Sequence, residues 1–248
     1  MPNPTTAVNP SAESIADLAA RDDDDAIIMV NLMKFAQPDG RARYARYGAV
    51  SGKEIQARGG RVIYSGVNLT PSHPGESDWD TVALVHYPRR AAWLDMQNAP
   101  AYQAAIEDRT AGLTRRLLYA FVASERSPAL GDIPRTNTDE IAVVNLLRYN
   151  DDGGKEEYQT YGKTAGSMIR ELGGEVLLHL TGEQAMVSDG TWDHFILVRY
   201  PTLDALRRMT STPRWQAADR DHRQKSLAKT IAMPTRQHGP DTINRATN

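Results

Sequence analysis

Histidine moves protons most readily near neutral pH, and this 248-residue chain holds six of them. His179 and His194 fall in neighbouring apolar segments and would converge if those segments paired. His86 and Arg199 each stand immediately before a Tyr-Pro pair that closes a strand-length run. A proton-moving histidine beside groups that hold negative charge on oxygen suits isomerisation, lyase chemistry or reaction of a substrate carbanion with dioxygen. Asn31, Asn145, Arg199 and a tyrosine are the candidates for that second task. An amide inside an apolar strand is costly unless bonded, so each Asn equally suits a neighbouring backbone group. Tyr47 and Tyr161 offer phenolic donors if they point inward, or surface hydroxyls on helices if they do not. Trp79 and Trp192 could stack on a ligand, although packing anchors is their plainer role. A strand-end histidine is also often simply solvated, and His73 and His238 sit in Pro-rich or tail sequence.

Other chemistries are poorly supplied. There is no cysteine, which excludes disulfides, thiolate metal ligation and a cysteine nucleophile. Asp219-x-Asp221-His222 and Asp193-His194 offer donors, but no spacing puts two imidazoles on one helical face, so no metal is expected. Neither a dinucleotide nor a Walker-type glycine motif is present, so no dissociable cofactor is expected. A Gly-x-Ser-x-Gly elbow is missing too.

The elements that must position these residues are written twice. Val30-Asn31-Leu32 recurs as Val144-Asn145-Leu146, an offset of 114 residues shared by Tyr44/Tyr158, Tyr47/Tyr161, Gly52/Gly166 and Gly59-Gly60/Gly173-Gly174. From there the offset is 113, linking Trp79-Asp80/Trp192-Asp193, Tyr87-Pro88/Tyr200-Pro201, Met96/Met209, Pro100/Pro213 and Asp108/Asp221. In-order matches with one gap indicate duplication. The histidines break the symmetry: His179, His194 and His222 stand where the first copy has Ser65, Thr81 and Arg109, and His86 stands opposite Arg199. One half can therefore be specialised.

Each copy predicts one order of elements. Apolar runs at 27–35 and 141–149 read as strands, and 41–58 and 155–172 as helices stopped by the glycine pairs. Strands follow at 61–65 and 175–180, and at 81–87 and 194–200. Helices follow at 90–96 and 203–209, and Pro100 and Pro213 start further ones near 101–109 and 214–222. Last strands are expected at 117–123 and 228–233. The order β-α-β-β-α-β is a ferredoxin-like unit, a four-stranded sheet with helices on one face. Its bare apolar face must be covered, and two linked copies can cover each other as an intramolecular dimer. The expected organisation is an extension with a short helix capped by Ser11 (1–25), a first unit (26–126), a linker (127–139), a second unit (140–236) and a tail (237–248). The four aspartates 22–25 read as a solvated turn.

The "VNL" strand, the Tyr-x-x-Tyr pairs Tyr44/Tyr47 and Tyr158/Tyr161, the double glycines, the Trp-Asp strand starts and the "APAY" and "TPRW" helix starts resemble the uncharacterised dimeric α/β-barrel family. That family is a relative of the antibiotic-biosynthesis monooxygenases and EthD-like proteins. The resemblance covers about 26–124 and 140–234 and implies an α+β fold of two ferredoxin-like units forming one intramolecular dimeric α/β barrel. The wider group contains cofactor-independent oxygenases, polyketide cyclases, lactone isomerases and haem-degrading enzymes, so the scaffold alone does not choose a reaction.

A composition of 40% hydrophobic and 24% charged residues is that of a globular chain, and a net charge of −2 gives no drive toward nucleic acid or an acidic membrane. No secretory signal or membrane-spanning run is read at the N-terminus, so a cytoplasmic location is expected. The expectation is a small-molecule enzyme acting on an apolar, aromatic or polyketide-like substrate held between sheet and helices. Its proton movers would be His194, His179 or His86, and association of pseudo-dimers into a homo-oligomer is open to it. The rival is a tandem module that binds a ligand or only builds structure.

Overall fold

The computed structural model describes residues 7–70, 78–124, 133 and 139–238. After α1 (Ala12–Ala19) the first repeat runs β1 (Ile27–Phe35), α2 (Gly40–Ala57), β2 (Arg61–Asn68), β3 (Thr81–Tyr87), α3 (Arg90–Gln97), α4 (Pro100–Gly112) and β4 (Leu113–Ala123). The second runs β5 (Ile141–Tyr149), α5 (Gly154–Glu171), β6 (Glu175–Val187), β7 (His194–Tyr200), α6 (Leu203–Thr210), α7 (Pro213–Ala218), a π-helical turn (Asp219–Arg223), α8 (Gln224–Ser226) and β8 (Leu227–Gln237). The expected linker lies almost wholly outside the described residues, as do His73 and residues 239–248. Gly59 and Gly173 stop α2 and α5 with φ of 73° and 75°, a left-handed conformation that side chains other than glycine rarely take.

Each repeat forms an antiparallel sheet, ordered β4-β1-β3-β2 in the first and β6-β7-β5-β8 in the second. The two were expected to cover each other by their bare faces alone; they also join edge to edge. β2 pairs with β8 (Gly66↔Gln237 to Asn68↔Thr235) and β4 with β6 (Leu118↔Val187 to Ala123↔Leu180). The result is a closed eight-stranded barrel with no free sheet edge. These seams explain why β2, β6 and β8 run past their local patterns, while the added residues at the start of β4 pair with β1. Residues 181–187, Thr-Gly-Glu-Gln-Ala-Met-Val, lack strand alternation and are held extended by β4.

Strand alternation then assigns two environments. Ile28, Val30 and Leu32 of β1 meet Val144 and Leu146 of β5 inside the barrel, together with Phe121, Phe195, Trp79 and Trp192. Met29, Ile141, Val143 and Leu147 face the helices outside. Asn31 and Asn145 share that outer face, so neither lines the barrel interior. Among the described residues, no helix is long and apolar enough to cross a membrane.

The N-terminal segment belongs to the first repeat's outer layer. Ser11 caps α1 by accepting from the Ser14 N–H at 3.0 Å, as expected, and α1 packs on α3 and β6 with Leu18 fully buried. The aspartates after it do more than a solvated turn would. Asp23 pairs with the buried Arg90, which also pairs with Glu183, and Asp24 Oδ1 accepts from the Ala91 N–H in the first turn of α3. That contact satisfies an otherwise orphan helix donor.

Candidate functional site

The equivalent space between sheet and helices has opposite fates in the two repeats. In the first it is filled by the chain itself. Arg109 on α4, 1% exposed, donates through Nη1 to the Tyr102 hydroxyl (2.6 Å) and the Tyr47 hydroxyl (3.2 Å). Its other edge, Nε and Nη2, donates to Asn9 Oδ1 at 3.0 and 2.8 Å. Arg116 on β4 donates to Asn31 Oδ1 at 3.2 and 2.6 Å and to the Val8 carbonyl at 3.2 Å. Leu18, Met186 and Val187 complete an apolar plug against Tyr47, Tyr102 and Trp93. Tyr47 and Asn31 are thus sealed inside a structural cluster, away from any ligand. Burial pushes the Tyr47 phenol well above its ordinary range.

Among the described residues the second repeat has no counterpart of α1, and a cavity of about 1480 Å³ opens between the outer face of the sheet and α5 to α7. Its wall is mostly apolar, with Val143, Ile196, Val198 and Met209 among its residues. His179 on β6 and His194 on β7 both line it, with His179 Nδ1 3.3 Å from His194 Nε2. The β6–β7 register makes them diagonal neighbours on one face, which brings the two histidines together as their sequence position suggested. Ser124, from the first repeat, ties the seam by donating through N–H and Oγ to the His179 carbonyl at 3.1 and 2.9 Å.

Asn145 lies two strands from His179 on the same wall. Its Nδ2 donates to the Val143 carbonyl at 3.2 Å and the Ile196 carbonyl at 3.4 Å, so both N–H groups serve the backbone. Among the described residues nothing donates to its Oδ1. This corrects the expected role: Asn145 offers the cavity an acceptor and cannot stabilise an oxyanion. Tyr161 lines the cavity too, and burial, partly opposed by Arg223 and Trp215, raises its phenol above the ordinary value. It stays protonated and able to donate. Tyr158 beside it, rings 5.4 Å apart, is raised further, again by burial.

The remaining candidates lie elsewhere. Trp79 and Trp192 are in the barrel core, with Arg115 3.9 Å above the Trp79 ring and Lys229 5.1 Å above that of Trp192. They are packing anchors. Arg199 pairs with Glu175 and, at 3.9 Å, with Glu140, outside the cavity wall. Its counterpart His86 is half-buried on β3 in the first repeat, and burial with the nearby Arg61 charge lowers its pKa. Neither joins the His179–His194 pair. Asp219, Asp221 and His222 turn to separate partners: Arg223 and Gln224, Arg220, and Glu157. Among the described residues no group of three or more His, Asp or Glu gathers as metal ligands would.

Sequence arithmetic missed Arg223 and Trp215. Ala36 N–H donates to the Gly112 carbonyl and Asn150 N–H to that of Ser226, so the 114 offset has returned by the end of the last helix. The π-helical turn takes up the extra residue. The partner of Arg109 is therefore Arg223, not His222. Trp215 replaces Tyr102, and the Tyr-to-Trp difference between the two helix starts was its visible signal.

Residues 32–121 and 147–235 each match the domain of unknown function DUF1330. The search among curated proteins found no match. Among solved structures, a Rhodopseudomonas palustris protein of unknown function is 32% identical; the match covers 47% of this chain and 95% of that one, with a TM-score of 0.42. An anthrone oxidase-like protein is 13% identical over 88% of this chain and 93% of its own, with a TM-score of 0.59. A mutant chlorite dismutase from Candidatus Nitrospira defluvii is 11% identical over 94% of this chain and 99% of its own, with a TM-score of 0.56. Those two likenesses concern the fold alone. With both of its repeats matched, the chain belongs to the DUF1330 family and carries that domain twice.

Proposed function

We propose that this protein is a small-molecule enzyme whose second-repeat cavity performs acid–base chemistry on an apolar, aromatic or polyketide-like substrate, without a dissociable cofactor. Each repeat reads as a ferredoxin-like βαββαβ unit, the pair reproducing within one chain a dimeric α/β barrel. The observation that carries the reading is the His179–His194 pair, 3.3 Å apart in the wall of an otherwise mostly apolar cavity. In such a pair one ring nitrogen holds the proton and the other a lone pair, so one imidazole can take a proton from a carbon acid while its neighbour shares the charge. Tyr161, kept protonated by burial, is placed to donate to an oxygen that gains charge. Returning the proton to another carbon gives isomerisation; expelling a leaving group gives elimination; meeting dioxygen gives the oxygenase branch.

The test uses enolisable polycyclic phenols and aromatic ketones in D₂O, with anthrone, taken from the name of one structural neighbour, as the first probe. Deuterium incorporation or oxygen uptake above the buffer rate is expected. The His179→Gln/His194→Gln double variant should lose about 10²-fold or more of it while still binding. Binding with no exchange or oxidation of any probe would leave a ligand-binding module, the rival reading, and sink the enzyme.

A further inference from the structure

The first repeat displays, with its own chain, what the second repeat's cavity would hold. Two polar anchors are common to both: the amide oxygen of Asn31 or Asn145 on the first strand, and the guanidinium of Arg109 or Arg223 at the end of the last helix. In the first repeat a donor occupies the amide oxygen, the Arg116 guanidinium, and an acceptor occupies the Nε/Nη2 edge of the arginine, Asn9 Oδ1. Among the described residues the second repeat has neither filler. The position of Arg116 is Thr230, whose hydroxyl cannot reach across as a guanidinium does, and among the described residues no segment supplies an Asn9. Trp215 in place of Tyr102 removes a further acceptor, because an indole only donates. Arg223 retains Asp219 on Nη1 at 3.2 Å and a long bond from Nη2 to Thr230 Oγ1 at 3.4 Å. Among the described residues its Nε has no acceptor.

We infer that the ligand of this cavity is a hydroxylated carboxylic acid, its hydroxyl donating to Asn145 Oδ1 and its carboxylate received by the Nε/Nη2 edge of Arg223. The inference rests on the second repeat being the ligand site. The spacing is set by the sheet. Asn145 pairs with Ala232, and Arg223 reaches Thr230, two residues further along that neighbouring strand. One strand spacing and two residue rises put the backbone positions of Asn145 and Thr230 about 8 Å apart. Asn145 and Arg223 both line the cavity, so one ligand can meet both. Asp219 does not repel the carboxylate outright, because Gln224 Nε2 also donates to it at 2.6 Å and the cavity wall adds Lys155, Lys163, Arg170 and Arg207 against Asp193. The hydroxyl end lies on the same wall as the histidine pair, with Ile196 between Asn145 and His179 across the strands.

Titration calorimetry with three probes on the full chain tests this: 6-hydroxy-2-naphthoate, 2-naphthoate and 2-naphthol. The hydroxy acid should bind about tenfold or more tightly than either probe lacking one group. Arg223→Gln should weaken both acids and spare naphthol, and Asn145→Leu should weaken both hydroxyl probes and spare naphthoate. Equal affinity for all three would overturn the hydroxy acid while leaving an apolar cavity able to do acid–base chemistry. Failure of all three to bind would overturn both. The ligand series on the unaltered protein decides the matter even if a variant does not fold.

Discussion

The first repeat spends on itself the polar groups that the second repeat leaves facing a cavity. Asn31, Tyr47 and Arg109 have counterparts in Asn145, Tyr161 and Arg223, yet the first set is closed by Val8, Asn9 and Leu18 and the second lines open space. The first repeat's version of this space is part of its core. A residue shared by both repeats therefore does not have one environment; the element laid over it decides whether it is buried in packing or faces a cavity.

The comparison breaks most sharply at the two arginines. Arg109→Met would strand two phenols and an amide in a buried cluster, removing four hydrogen bonds from a charged donor. A loss of about 3–5 kcal/mol in urea unfolding is expected. Arg223→Met removes two hydrogen bonds, one of them to the buried Asp219, and should cost less, about 1–3 kcal/mol. Similar losses at both would show that the second arginine is structural too.

Leu18 is the next probe. It is 1% exposed and is the fully buried side chain of α1, a helix with no counterpart among the described residues of the second repeat. Leu18→Ala should cost about 2–4 kcal/mol and loosen the plug, so that an apolar probe acquires a second, weaker site per chain. A single site with the full stability loss would mean that the first repeat collapses rather than opens.

What could be read beforehand followed from local pattern. The alternation of 27–35 and 141–149, the glycine stops and the adjacency of His179 and His194 all rest on neighbours close in sequence. What escaped depends on distance. Asn9 meets Arg109 a hundred residues away, and residues 181–187 are a strand only because β4 holds them. The acceptor role of Asn145 was hidden for another reason: residue type says that an amide has both donors and an acceptor, and only the carbonyls of Val143 and Ile196 decide which end is spent. Arg223 was masked by one inserted residue, which shifted the alignment onto His222.

The smallest expected difference between the repeats is one of pH. His86 has a pKa below its ordinary value because burial disfavours the charged ring and Arg61 adds repulsion. The unfolded chain therefore takes up a proton at this residue near its ordinary pKa of about 6.5, before the folded protein does. The stability it contributes is present above that pH and is lost as pH falls from there toward the lowered folded value. The matching position in the second repeat is Arg199. His86→Gln should flatten the fall of urea midpoint on acidification below pH 6.5 without changing the midpoint measured at pH 8 by more than a few tenths of a molar. A steeper fall in the variant would mean that the ring is held charged, and that the environment read around His86 is wrong in sign.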